Sequence, residues 1–282
     1  MAVSMTYQAV GALQSKLSDG GHLVTIATLT FSSTSLASMT KWLWLPQPRP
    51  AARLRLYCLA HAGAGASTFS SWGSAAPPDI EIAAIKLPGR ESRLNEEPLT
   101  RLPAIAQLVS EAILSADNRP FALFGHSAGG KFAIHVAAHL EDTGHCPLHA
   151  FISGAPVTLK NDSAIHNLDH DEFIQAVAKR FGPLPVQITD DSEIWRIFER
   201  PLRADMEALE TDELSPRPLN TPLTIISGAR DNVIDKGNLA LWQAWSRCKV
   251  HYEVVDADHF SYRTDPRVYL STIAKWLFAK EH

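Results

Sequence analysis

Phe121-Ala-Leu-Phe-Gly125-His126-Ser127-Ala128-Gly129-Gly130 is the stretch whose reading decides the fold. A short apolar run, the signature of a buried strand, breaks into a Gly-x-Ser-x-Gly turn. Lys131-Phe-Ala-Ile-His-Val-Ala-Ala-His-Leu140 then continues with helical spacing. A serine on a tight strand-to-helix turn is held clear of the backbone and close to a helix N-terminus, which is the setting of a nucleophile elbow. Gly125 and Gly129 fall where a side chain would collide with the neighbouring strand or helix as the chain reverses. Ser127 is therefore read as a nucleophile.

Upstream, Leu54-Arg-Leu-Tyr-Cys-Leu59 reads as a buried strand that ends in His61-Ala62-Gly63-Ala64-Gly65. Small residues after a strand let backbone N–H groups approach a ligand closely, and one such N–H supplies half of an oxyanion hole. Ala62 N–H is expected as the first donor and Ala128 N–H as the second. A phosphate-cradling loop is disfavoured, because the Gly-Lys-Ser/Thr ending is missing and GxGxxG is not matched.

Ile80–Ile85 is expected as a second strand, followed by Leu87-Pro-Gly-Arg-Glu-Ser-Arg93 and a helix over Ile105–Leu114. Beyond the elbow, Ala150–Ser153 reads as another strand. Strand and helix alternating at this spacing predict a mostly parallel, doubly wound sheet whose loops at the strand C-terminal ends carry the site.

Between about residues 156 and 218 the strand signal disappears. Helical stretches take its place over Asp169–Arg180, Asp190–Phe198 and Leu202–Leu209, with Asp169 or Asp171 able to cap the first. A helical insertion just downstream of the nucleophile has the expected form of a lid. The core resumes with Pro222–Ser227, a helix over Leu239–Arg247, a strand over Val250–Val255 and an amphipathic helix over Val268–Ala279.

An activated serine needs a base, and the base needs an acid that fixes its tautomer. The chain order Ser, Asp, His suits this arrangement, and Asp231 and His259 each follow an expected strand. His126 lies inside the elbow, His135 and His139 on the following helix, and His251 within a strand, so His259 is preferred as base. Asp231 is preferred as acid, with Asp235, Asp205 and Asp258 as rivals.

The chain of 282 residues carries a formal net charge of −4 and no Lys/Arg cluster, which gives nucleic acid or an anionic membrane no electrostatic footprint. No apolar run reaches the roughly 18 residues a membrane span requires. Three cysteines, Cys58, Cys146 and Cys248, are an odd number at wide spacing and suggest neither a disulfide framework nor a zinc site. Free thiols in a reducing, cytoplasmic setting and no metal or other cofactor are expected. Residues 1–38 are rich in Ser, Thr and Ala and lack an amphipathic period. A secretory signal fits them poorly, because threonine interrupts the apolar centre and Lys16 stands close to Asp19. They are expected to be an extension, disordered or upstream of a true start at Met39, leaving one domain over 39–282.

Taken together, His61-Ala-Gly-Ala-Gly with Phe69 and Trp72, Leu87-Pro-Gly-Arg-Glu-Ser-Arg93, Gly125-His-Ser-Ala-Gly-Gly130, Leu202-Arg-Ala-Asp205, Gly228-Ala-Arg-Asp231 and His259-Phe260 resemble the stand-alone type II thioesterases of non-ribosomal peptide and polyketide synthases. The likeness runs from about Trp42 to Trp276. It departs from the family around the base, where Ala257-Asp258 precede His259 and Ser261 follows Phe260, and at Glu210-Thr211 in the lid stretch. The resemblance implies an α/β-hydrolase fold with a helical lid and a Ser127–His259–Asp231 triad. It implies a monomer that removes wrong or stalled acyl groups from the phosphopantetheine arm of carrier domains. A carboxylesterase or lipase-like hydrolase would use the same triad, a product-releasing thioesterase the same chemistry, and a non-catalytic interaction protein the same scaffold.

Overall fold

The computed structural model describes residues 40–157, 164–182, 192–211, 215–233 and 236–278. The expectations for residues 1–38 and Met39, and for Asp190 and Asp235, fall outside the described residues.

Seven described strands form one sheet in the order β1-β3-β2-β4-β5-β6-β7. They are β1 (Leu43–Trp44), β2 (Leu54–Leu59), β3 (Ile80–Ile85), β4 (Phe121–His126), β5 (Ala150–Ser153), β6 (Leu223–Gly228) and β7 (His251–Val255). Every neighbouring pair is parallel except β1 with β3. β2, β3, β5 and β6 are buried along their whole length, as expected for strands covered on both faces. Side chains alternate between two cores: Leu54, Leu56 and Cys58 face one side of the sheet, and Tyr57 and Leu59 the other. β7 closes one edge, and its Tyr252 and Val254 are exposed.

The first core is covered by α1 (Leu102–Ala116) and α2 (Ala128–Asp142), the second by a helical turn at Trp72–Ala75 and by α5 (Arg267–Phe278). Between β5 and β6 lie α3 (His170–Phe181) and α4 (Ser192–Thr211). Asp169 caps α3, its side chain accepting the Glu172 N–H at 3.0 Å.

The helical stretches expected over 190–198 and 202–209 are one helix, α4, with Pro201 inside it. Proline removes one intrahelical bond, but Trp195, Leu202, Met206 and Leu209 form a single apolar stripe along the helix and hold it against the core. The segment expected as a helix over 239–247 is a 3₁₀ run over Lys236–Trp245. Burial there repeats every third residue, with Trp242 and Trp245 inside, which is the 3₁₀ period. β1, only two residues long, carried no periodic signal.

Candidate active site

Ser127 joins β4 to α2 with φ 55° and ψ −119°, a region that a non-glycine residue occupies only when its surroundings enforce it. Two bonds enforce it here: the Ser127 N–H donates to the Ser153 carbonyl at 2.8 Å, and the Gly130 N–H donates to the Ser127 carbonyl at 2.9 Å. The flanking glycines leave no room for side chains. A Cβ on Gly125 would lie 2.0 Å from the Gly129 carbonyl oxygen, and one on Gly129 would lie 2.2 Å from that of Leu59.

The ends of neighbouring strands are tied together beyond the sheet. Gly154 N–H donates to the Ile226 carbonyl at 3.0 Å, Ala229 N–H to that of Val255 at 2.8 Å, and Arg230 N–H to that of Ala257 at 3.0 Å. These bonds fix the loops after β6 and β7, and with them Asp231 and His259. His259 Nδ1 lies 2.8 Å from Asp231 Oδ2, and Asp231 Oδ1 accepts the Val233 N–H at 2.9 Å. All three side chains are buried, with Ser127 7%, His259 5% and Asp231 2% exposed. The carboxylate leaves Nε2 as the imidazole nitrogen able to take up a proton.

The rival acids have other partners. Asp205 makes a two-pronged contact with the Arg90 guanidinium, at 2.7 and 2.9 Å. Asp258 is exposed and accepts the Phe260 N–H at 2.8 Å.

Two further imidazoles lie against His259. The His126 ring is 4.8 Å from it, stacks on Tyr262 at 4.1 Å and places Nδ1 3.0 Å from the Ser153 hydroxyl. His61 Nδ1 lies 2.5 Å from the Tyr262 hydroxyl. Burial is the main cause holding both well below the usual histidine range, with Arg263 and then His259 adding to it at His61 and His259 at His126, and the His61 pKa falls to about 3. Both rings are therefore biased toward the neutral form. Tyr262 is a contributor that sequence reasoning missed, although its position three residues after His259 was a usable signal. Trp72 fixes it by donating its indole N–H to the Tyr262 carbonyl at 2.8 Å, and Phe69 packs against its ring.

The loop after β2 uses its amides selectively. His61 N–H lies 3.4 Å from the Tyr262 hydroxyl, Gly63 N–H donates to Asp205 Oδ2 at 2.7 Å, and Ala64 N–H donates to the His61 carbonyl at 3.1 Å. The Ala62 N–H is left without an acceptor among the described residues. Ala128, the first residue of α2, has an N–H that no intrahelical carbonyl can reach.

A small cavity of about 30 Å³ lies beside the nucleophile, lined by Ser127, Ala128, Lys131, Phe181, Met206 and Leu209 among others. Its walls join the elbow to α3 and α4, so the inserted helices enclose the space next to Ser127. Lys131 is 1% exposed; its ammonium donates to the Val157 carbonyl and faces the Trp242 ring at 5.0 Å.

Residues 54–277 match the model of the family described as "Thioesterase domain". Gramicidin S biosynthesis protein GrsT of Aneurinibacillus migulanus is 33% identical over 199 residues, covering 69% of this chain and 77% of that protein. Among solved structures, YbtT, a type II thioesterase from the yersiniabactin NRPS/PKS pathway, superposes with a TM-score of 0.74 at 25% identity. The match covers 84% of this chain and 98% of YbtT. RedJ, a thioesterase of the prodiginine pathway in Streptomyces coelicolor, gives 0.71 at 29% identity, covering 82% of this chain and 93% of RedJ.

Proposed function

The chain belongs to the thioesterase domain family as a type II thioesterase, and we propose that Ser127, His259 and Asp231 are the groups with which it works. It is an editing enzyme for carrier-bound acyl groups in non-ribosomal peptide and polyketide synthesis. The observation that carries the residue assignment is a strained, buried serine at the elbow after β4 together with a hydrogen-bonded His259–Asp231 couple on the loops after β6 and β7, at the same edge of the parallel sheet.

In this reading Ser127 Oγ attacks the thioester carbonyl while His259 Nε2 takes its proton, and Asp231 stabilises the imidazolium. The Ala62 and Ala128 amides receive the oxyanion. Collapse of the tetrahedral intermediate expels the phosphopantetheine thiolate, which takes the proton back from His259 and leaves an acyl-Ser127 ester. Water, deprotonated by His259, then attacks that ester, and as the second tetrahedral intermediate collapses His259 gives the proton to Ser127 Oγ, releasing the acid and free Ser127.

The finer proposals rest on the same footing. The domain covers residues 39–282 with a lid over about 156–218. The enzyme acts as a cytoplasmic monomer on phosphopantetheinylated carrier domains, with neither nucleic acid nor membrane as partner. The unpaired cysteines Cys58, Cys146 and Cys248 suit a reducing compartment. Among the described residues no helix is long and apolar enough to cross a membrane.

The test is hydrolysis of acetyl-phosphopantetheinyl carrier protein compared with simple p-nitrophenyl esters. A higher kcat/KM for the carrier thioester is expected, with turnover abolished in a folded Ser127→Ala variant. Strong preference for the free esters would overturn the editing assignment. Near-wild-type turnover by Ser127→Ala would remove Ser127 from its role.

A further inference from the structure

Two motifs that the triad does not use, Pro88-Gly-Arg90-Glu91 and Leu202-Arg-Ala-Asp205, meet at one place. Arg90 Nη1 and Nη2 donate to Asp205 Oδ2 and Oδ1 at 2.7 and 2.9 Å, and both residues are buried, 6% and 1% exposed. The pair reaches the loop His61–Gly65 from two sides. Asp205 Oδ2 also accepts the Gly63 N–H at 2.7 Å, and Arg90 Nη1 also donates to the Ala64 carbonyl at 3.2 Å. Glu91 extends the hold by accepting the Ser67 N–H at 3.0 Å.

We propose that Arg90 and Asp205 are positioning residues that set the direction of the Ala62 N–H, the oxyanion donor. This inference rests on the mechanism above. In a trans peptide the N–H and the preceding C=O point in opposite directions within one plane. The plane that carries the Ala62 N–H therefore turns with the His61 carbonyl, which accepts the Ala64 N–H at 3.1 Å. That turn persists only while Gly63 and Ala64 hold still. Gly63 has φ +74°, where glycine moves freely, and a Cβ there would lie 3.0 Å from Leu202 Cβ. Asp205 and Arg90 take up the two backbone groups through which the loop could flip, the Gly63 N–H and the Ala64 C=O. Because Asp205 lies on α4, and Met206 and Leu209 of the same helix line the cavity beside Ser127, one element both walls that cavity and aims the donor.

Asp205→Glu and Arg90→Lys keep the charges of the buried pair while displacing the contacts to the loop. For folded variants of matched Tm, kcat on acetyl-phosphopantetheinyl carrier protein is expected to fall about 10- to 100-fold. KM should stay within about threefold, and Ser127 labelling by a fluorophosphonate should slow by a similar factor, because that reaction also places an oxygen in the oxyanion hole. Wild-type kcat in either folded variant, a change confined to KM, or loss of folding in both would overturn the proposal. Wild-type enzyme that hydrolyses the thioester but is not labelled at Ser127 would instead defeat the underlying mechanism.

Discussion

Asp231 divides its carboxylate between two partners: Oδ2 holds His259 Nδ1 at 2.8 Å, while Oδ1 is occupied by the Val233 N–H at 2.9 Å. The second bond fixes the carboxylate plane, so the imidazole is oriented and not merely neutralised. Asp231→Asn retains the shape but offers an amide whose rotamer can donate to Nδ1 and force the wrong tautomer. We expect kcat to drop by about 10⁴ with little change in thermal stability, by the arithmetic of the Ser-His-Asp triad. Single-turnover kinetics of acyl-carrier hydrolysis would read this, and a loss below tenfold would exclude Asp231 as the acid.

Gly125 and Gly144 separate steric need from backbone need. A methyl at Gly125 would run into the Gly129–Gly130 peptide, 2.0 Å from its oxygen and 2.7 Å from its nitrogen, and that backbone cannot yield without opening the elbow. At Gly144, past the end of α2, φ is +82° but nothing lies within 4 Å. Gly144→Ala should therefore cost only about 1–2 kcal/mol of left-handed strain, and Gly125→Ala about 3 kcal/mol or more of overpacking. Urea denaturation of the two variants would check the ranking, and equal losses would contradict it.

The sequence and the fold agree most closely where a buried face imposes a clear pattern. The apolar runs Leu54–Leu59, Ile80–Ile85 and Ala150–Ser153 coincide with β2, β3 and β5. Chain order and strand ends nominated Ser127, Asp231 and His259 as candidates but did not separate Asp231 from Asp205, since both are acids in the loops or helices around one site. Partners distant in sequence and close in space distinguish them, the Arg90 guanidinium for Asp205 and the His259 imidazole for Asp231. The helical stretches expected over 190–198 and 202–209 stop on either side of Pro201 because local patterning ignores the apolar stripe from Trp195 to Leu209 that spans it. The bias of the His61 and His126 rings toward the neutral form depends on burial, which no spacing reveals.

Glu81 carries much of the charge balance at the opposite end of the sheet. On β3 beside Arg55 of β2, it accepts from Arg55 Nε at 2.8 Å, from Arg119 Nη2 at 2.7 Å and from the Arg49 N–H at 2.6 Å. Glu81 and Arg55 are 2% and 3% exposed. Glu81→Gln leaves Arg55 and Arg119 facing Asp117 alone, and breaking a buried pair from one side costs about 3–5 kcal/mol. We expect that loss in denaturant titration, with kcat of the folded fraction unchanged because the site lies at the other ends of the strands. A loss under 1 kcal/mol would show that Asp117 suffices.

Lys131 gives a pH dependence whose sign follows from its burial. Desolvation lowers its ammonium pKa from the ordinary 10.5 to about 7. The unfolded chain keeps that proton up to about pH 10.5, so between about 7 and 10.5 the unfolded state binds more protons and stability rises with pH. Below pH 7 the folded protein carries the whole cost of the buried charge. At about 1.4 kcal/mol for each pH unit that cost is bounded near 5 kcal/mol, and the Val157 carbonyl and the Trp242 face offset part of it. Lys131→Met keeps the aliphatic volume and removes the titration. The variant should be the more stable protein at pH 6, with the difference narrowing steadily as the pH is raised to 9.5. Paired denaturant titrations across that range would measure it, and a stability difference independent of pH would show that Lys131 keeps an ordinary pKa in the folded protein.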